Sequence, residues 1–304
     1  MGRRGDAHCN RIGWLLALAV LVALPARTAL PQASIMANPP ASGSAQMVQA
    51  GGPGQRSACG AVPADAGQVT AVLDGRSFLL EDGREVRLAG IEVPFVPRSL
   101  ESGREAEAGR AAQEALKSLI GGRQVQLRQF KEGAGDRYGR VLAHASVMIA
   151  TGGETSVAHE MLARGFALVS AQVGDLACAQ ELWREERGGR AGKLGLWNEP
   201  YYVVRAAQRF VASDVAPGQF SLVEGKPLTI RESGGTIYMN FGRKWSEALT
   251  VTISKRNERT FTAAGLEVRR LENRLLRIRG YVEERNGPRI EASRPEQIEM
   301  ADRI

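Results

Sequence analysis

The sequence of 304 residues predicts an α+β chain, mainly β, built as two small barrel-like units. Three observations carry this. Short apolar runs alternate with polar residues, and Asp82-Gly83, Gly234-Gly235 and Asn286-Gly287 punctuate them with dipeptides that accept the positive φ of tight hairpin turns. Helical periodicity is concentrated in the first two thirds of the chain, between strands. Asp214-Val215-Ala216-Pro217-Gly218 reads as a linker, and the pattern after it is β-rich again.

In chain order, residues 1–33 read as a secretory signal peptide or an uncleaved N-terminal anchor. Arg3, Arg4 and Arg11 form a basic start, and Trp14 to Leu24 is an apolar run too short for a typical spanning helix. Leu24-Pro25-Ala26 is a candidate exit. Residues 34–58, rich in Pro, Gly, Ala and Ser, read as a flexible linker. The first folded unit is expected over 59–213 and a second over 214–304.

Within the first unit, Val69 to Leu73 is a strand, and Ser77 to Leu80 and Glu85 to Ile91 form a hairpin about Asp82-Gly83, whose expected turn is type I′. Glu101 to Ile120 is helical, with Ala108, Ala112, Leu116 and Ile120 on one stripe and Gly121-Gly122 as its stop. Val125 to Phe130 and Val141 to Ile149 are strands. Ser156 caps a second helix that ends at Gly165, and Cys178 to Arg187 begins a third. Tyr201 to Val211 is read as a short helix.

In the second unit, strands are expected at Leu228 to Arg231, Thr236 to Asn240, Leu249 to Ser254, Leu275 to Val282 and Arg289 to Ala292, with a short helix at Glu267 to Glu272. A small β-barrel or sandwich accommodates them. Tyr238, Phe241 and Trp245 read as core and hairpin packing, or as an aromatic binding face. Arg269, Arg270, Arg274, Arg277 and Arg279 read as a solvated basic strand face, or as a stretch that touches a polyanion.

Composition is that of a globular chain, with 43% hydrophobic and 24% charged residues, which excludes global disorder. Net charge is +7; Arg3, Arg4, Arg11 and Arg27 against Asp6 give the leader +3, which leaves +4 for the remainder. That suits weak attraction to polyanions and specifies no partner. Cys9 lies in the leader, so Cys59 and Cys178 remain. Two thiols in an oxidising compartment suggest one disulfide, and two separately buried thiols are the alternative. His8, His144 and His159 show no metal-ligand spacing.

Three motifs carry chemistry. Asp136-Arg137-Tyr138-Gly139-Arg140 closes the polar loop Lys131 to Gly135 and opens the apolar run Val141 to Ala150, so a turn glycine aims an arginine from the start of a strand. Arg87-Leu88-Ala89-Gly90-Ile91-Glu92-Val93-Pro94 lies upstream and Leu194-Gly195-Leu196-Trp197 downstream. In this order and spacing the set resembles the staphylococcal-nuclease (thermonuclease) family, from about Val69 to Trp197. The resemblance implies a five-stranded barrel of the oligonucleotide/oligosaccharide-binding (OB) type with about three helices.

It also implies a site in which two aspartates and a threonine carbonyl hold calcium, a glutamate activates water, and two arginines neutralise the phosphate. Arg87 and Arg140 match the catalytic, phosphate-binding arginines. The carboxylates depart from the pattern. Arg76, in Asp74-Gly75-Arg76-Ser77, stands at one metal-ligand position. Glu92 replaces the other as a weak candidate metal ligand, Val93 still offers a carbonyl, and Phe95 stands at the general-base position, where the base is lost. Glu101, Glu105, Glu107 and Asp136 are the carboxylates that could compensate.

The expectation is an exported, secreted or periplasmic, nuclease-like protein that is catalytically impaired. It would need no cofactor and would bind nucleic acid, a nucleotide or another anion through its arginines. The alternatives are an active calcium-dependent nuclease, with calcium as cofactor, and an assembly module with an envelope protein partner. His159 is expected to be a packing or surface residue.

Overall fold

A computed structural model describes residues 59–60, 62–94, 102–131, 133, 135–149, 152–198, 201–210, 219–244 and 246–301. The leader, the residue 34–58 linker, Phe95, Glu101, Trp245 and the 214–218 linker lie outside the described residues. No helix among those described is long and apolar enough to cross a membrane.

The first barrel comprises β1 (Val62–Val72), β2 (Ser77–Leu80), β3 (Glu85–Leu88), β5 (Gln124–Gln129) and β6 (Val141–Met148), with the two-residue β4 (Ile91–Glu92) between the third and fourth of these. The long β1 pairs with β5 through its first half and with β2 through its second. The parallel pair β3–β6 then closes the order β1-β2-β3-β6-β5. This is the pairing order of an OB-type barrel, and α1 (Arg104–Ile120) sits where that topology inserts its helix. Ala108, Ala112, Leu116 and Ile120 of α1 are buried as its stripe predicts.

The turn at Asp82-Gly83 departs from expectation. Of this pair only Gly83 has positive φ, +85°, so the loop is the three-residue kind that ends in a left-handed glycine, not type I′. Gly234 and Gly235 both have positive φ and join paired residues Ser233 and Thr236, as a two-residue turn requires.

Beyond β6 come β7 (Glu154–Ser156), α2 (Val157–Ala163), β8 (Leu168–Val169), which pairs with β4, and α3 (Leu176–Ala191). Ser156 caps α2, and Asp175 caps α3 by accepting from the Cys178 N–H at 2.9 Å. Cys59 and Cys178 are joined in a disulfide across 119 positions. In the chain-entropy account, closing so long a loop contributes about 5 kcal/mol.

The segment from Tyr201 is not the helix its composition suggests. It forms β9 (Val204–Ala206), which runs parallel to β10 (Phe220–Gly225), and then a 3₁₀ turn, Ala207–Arg209. A free sheet edge and adjacent β-branched valines outweigh the helix propensity of the alanines. Glu267 to Glu272 likewise yields only a 3₁₀ turn, Val268–Arg270.

The second unit is built from β10, β11 (Thr229–Ser233), β12 (Thr236–Asn240), β13 (Thr250–Ser254), α4 (Glu258–Ala263), β14 (Leu276–Glu284), β15 (Pro288–Glu291) and β16 (Ile298–Met300). β10 and β11 are two halves of one bent strand, broken at Pro227. The first half pairs with β14 and the second with β12. β13 pairs in parallel with β15, and β15 with β14. With β10–β11 counted as one strand, this repeats the pairing order of the first barrel, including a helix between the third and fourth strands. Phe241 is in this core, and Tyr238 lies on the opposite, half-buried face of β12.

The basic stretch on β14 is not a solvated face. Arg277 and Arg279 are 4% and 0% exposed. Leu276 and Ile278 face the second core, while Arg277 and Arg279 reach a buried ionic network shared with α3. Arg279 pairs with Glu186 at 2.9 Å and Glu299 at 2.8 Å, and Arg277 and Arg187 both reach Glu299, at 2.9 and 2.8 Å. Glu186 also accepts from the Val169 N–H, and the Arg279 guanidinium lies 5.4 Å from the Trp183 ring centre. Three guanidinium groups and two carboxylates thus join the barrels, with Glu224 as the third carboxylate at the edge.

Candidate functional site

The turn between β1 and β2 places Arg76. Asp74 accepts from the Arg76 N–H at 2.7 Å, and Gly75 lets the turn press against α1, where an added Cβ would sit 2.8 Å from that of Ala112. The Arg76 guanidinium points inward. It donates to the Ile91 carbonyl at 2.9 Å and forms an ion pair with Glu92. Pairing of β4 with β8 fixes Glu92, which is 7% exposed.

The second oxygen of Glu92 receives the Tyr281 hydroxyl, at 2.5 Å. Tyr281 belongs to β14 and projects on the same face as Arg277 and Arg279, so the second barrel reaches into the pocket of the first. Burial pushes the Glu92 carboxyl above its ordinary value, and Arg76 and Tyr281 only partly offset this. Burial and the Glu92 charge also raise the Tyr281 phenol, which therefore stays a protonated donor.

The loop from Asp136 to Arg140 holds itself together. Asp136 accepts from the backbone N–H groups of Tyr138 and Arg140, at 2.9 and 3.1 Å, and its other oxygen takes the Arg140 Nε at 2.6 Å. Gly139 has φ +79°, which allows the tight return. Arg140 also lies 3.7 Å from Glu85. Burial opposes the Arg140 charge, but the Asp136 contacts outweigh it and raise the net value. Tyr138, 66% exposed, stacks near both Arg137 and Arg140.

Arg87 lies on β3, opposite Ser77 and Leu142, and shares a face with Glu85. The fold therefore pairs Arg76 with Glu92 and Arg140 with Asp136, with Arg87 on β3 between the strand that follows the Arg76 turn and the strand that follows Arg140. Glu105 and Glu107 are exposed on α1. Sequence reasoning missed Tyr281, which comes from another barrel and carries no motif.

Residues 85–199 match the family described as Staphylococcal nuclease homologue, and no curated protein matches the chain. The match and the closed five-stranded barrel agree: this part of the chain is a staphylococcal-nuclease-like domain. The turn that carries Arg76 precedes the matched segment, and its place in the site rests on the pairing of β1 with β2.

Proposed function

We propose that this staphylococcal-nuclease-like domain has given up calcium-dependent phosphodiester hydrolysis. In this reading it binds a phosphate-bearing ligand, as nucleic acid, nucleotide or another anion, through Arg87 and Arg140. The observation that carries this is the contact of Arg76, Glu92 and Tyr281. Calcium takes six to eight oxygen ligands, several of them charged. Here the matched carboxylate is spent on a guanidinium and a phenol, and a fixed positive charge stands in the pocket. At an effective dielectric of ~20, two unit charges ~4 Å apart interact by about 4 kcal/mol, and a divalent ion doubles the repulsion. The pocket does not fit calcium. With Phe95 at the general-base position, no matched side chain can activate water.

The arginines support the binding half of the proposal. Asp136 partly neutralises Arg140 but also fixes its direction, so little side-chain entropy is lost when a phosphate docks. Exposed Tyr138 beside it offers a flat surface for a base or sugar. Export is part of the same reading. It is supported by the basic-then-apolar N-terminus and the disulfide.

The test is a DNA-cleavage assay of the pure full-length protein with calcium, beside equilibrium binding of a nucleotide without it. We expect no cleavage, and nucleotide binding that weakens at least 10-fold in Arg87→Ala/Arg140→Ala, as loss of charge-assisted hydrogen bonds implies. Calcium-dependent cleavage abolished by Arg140→Ala would overturn the reading. Unimpaired binding of an envelope partner by the double variant, with no nucleotide bound by either form, would favour the assembly-module alternative.

A further inference from the structure

Outside residues 1–33 the sequence contains two cysteines and two histidines, and the fold gathers all four. Cys59 precedes β1, Cys178 lies in the first turn of α3, His144 is on β6 and His159 on α2. Ligand atoms of Cys59, Cys178 and His144 lie within 4.8 Å of one another, as do those of Cys59, His159 and Glu181. Spacing along the chain could not reveal this, because the four come from four separate elements.

The cluster has a second feature. His144 is 5% exposed, and neither of its ring nitrogens has a hydrogen-bond partner among the described residues. Leaving buried polar atoms unsatisfied is costly, so such a group calls for an explanation. Phe130 packs edge-on to the imidazole at 5.2 Å and satisfies neither nitrogen. The His159 Nε2 lies 3.9 Å from the Glu181 carboxylate, beyond hydrogen-bonding distance.

We propose that this cluster is a thiol-switched site for a zinc-class divalent ion. In the oxidised protein Cys59 and Cys178 form the disulfide and the ion is excluded, because a disulfide sulfur is a poor ligand. A dithiol reductant delivers two electrons and two protons: the S–S bond breaks, two thiols form, and the reductant leaves as its own disulfide. Binding of one divalent ion then displaces the two thiol protons to solvent. The ion is held by the Cys59 and Cys178 thiolates and the His144 and His159 imidazoles, a set suited to tetrahedral zinc. Two sulfurs on zinc stand ~3.8 Å apart, given Zn–S bonds of ~2.3 Å. Cys59, next to the start of β1, moves to open that gap. Glu181 lies beside His159 and adds a negative charge next to the ion.

The experiment uses the full chain carrying Cys9→Ser, reduced with a phosphine and desalted without oxygen, and titrated with cobalt(II) and then zinc(II). We expect the visible bands of tetrahedral cobalt, with thiolate-to-cobalt charge transfer, at one ion per chain. Zinc should displace them, and the oxidised protein should show none. His144→Ala should weaken binding at least 10-fold, a loss typical of a ligand set disturbed at one member. Because Cys178→Ser risks misfolding, thermal melting of the reduced, unsubstituted cysteine pair provides a second readout. Zinc should raise the melting temperature of the reduced form and not of the oxidised form. Absence of the charge-transfer band from reduced protein would overturn the proposal. So would a cobalt spectrum and affinity unchanged in both His144→Ala and His159→Ala, or a reduced form whose melting ignores zinc.

Discussion

Glu92 is a buried carboxylate on which both barrels converge. Its two oxygens are taken by Arg76 and Tyr281, and burial makes its charge depend on that company. Removing one partner from a buried pair typically costs about 3–5 kcal/mol, because the other is left uncompensated. Arg76→Ala should therefore destabilise the protein by about that amount, read as a lowered midpoint in denaturant unfolding. Tyr281→Phe removes a hydrogen bond to a charged acceptor while keeping the ring, and about 1.5–3 kcal/mol is expected by the same measurement. That Arg76 stands where the resembled family's motif has an aspartate is read from the sequence alone. That Arg76 would turn inward to Glu92 is not, since an arginine on a turn has solvent as its easy alternative. Tyr281 was invisible for another reason: its partner lies 189 positions away.

At the scale of elements, the hairpins and the three helices of the first barrel followed local chemistry and could be read, whereas α4 was not foreseen and Glu267 to Glu272 gave only a 3₁₀ turn. Gly-Gly and Asn-Gly pairs marked turns, and the alanine–leucine stripe marked α1 with its buried face. β9 was misread because its stability comes from the edge of β10, which no local pattern announces. β14 was half read. Its alternation was correctly that of a strand, but the polar face was assigned to water, whereas α3 and the first barrel cover it. Alternation reports that two faces differ, not what covers each. The turn before β2 offers a test at this scale. In Gly75→Ala the new Cβ would meet Ala112 of α1 at 2.8 Å, so the turn must shift. A loss of about 1–3 kcal/mol is expected, together with altered nucleotide affinity, because Arg76 moves with the turn.

For the molecule as a whole, the two barrels share one topology and a buried ionic network. Glu299 is central to it. Burial pushes its carboxyl up, but Arg279, Arg277 and Arg187 outweigh burial and leave the net value below the ordinary 4.5. A carboxylate depressed in the folded state stabilises it above the unfolded value, and that contribution is lost as pH falls through the folded value. Stability should therefore hold above about pH 4.5 and decline below it, with the decline attenuated in Glu299→Gln; unfolding curves across that range check this. The contact between barrels also explains why Glu92 takes a hydrogen bond from the second barrel. The face of β14 that carries Arg277 and Arg279 into the network carries Tyr281 to Glu92.

The central claim is that this pocket keeps its arginines for an anion and no longer takes calcium. Isothermal calorimetry on the full chain tests it most directly, with calcium titrated with and without a nucleoside 3′,5′-bisphosphate. The account predicts heat from the nucleotide alone, lost in Arg140→Ala, and none from calcium at the site. A calcium signal that strengthens when the nucleotide is present would contradict it, because a carboxylate set able to hold the ion would then have to exist beside Arg76.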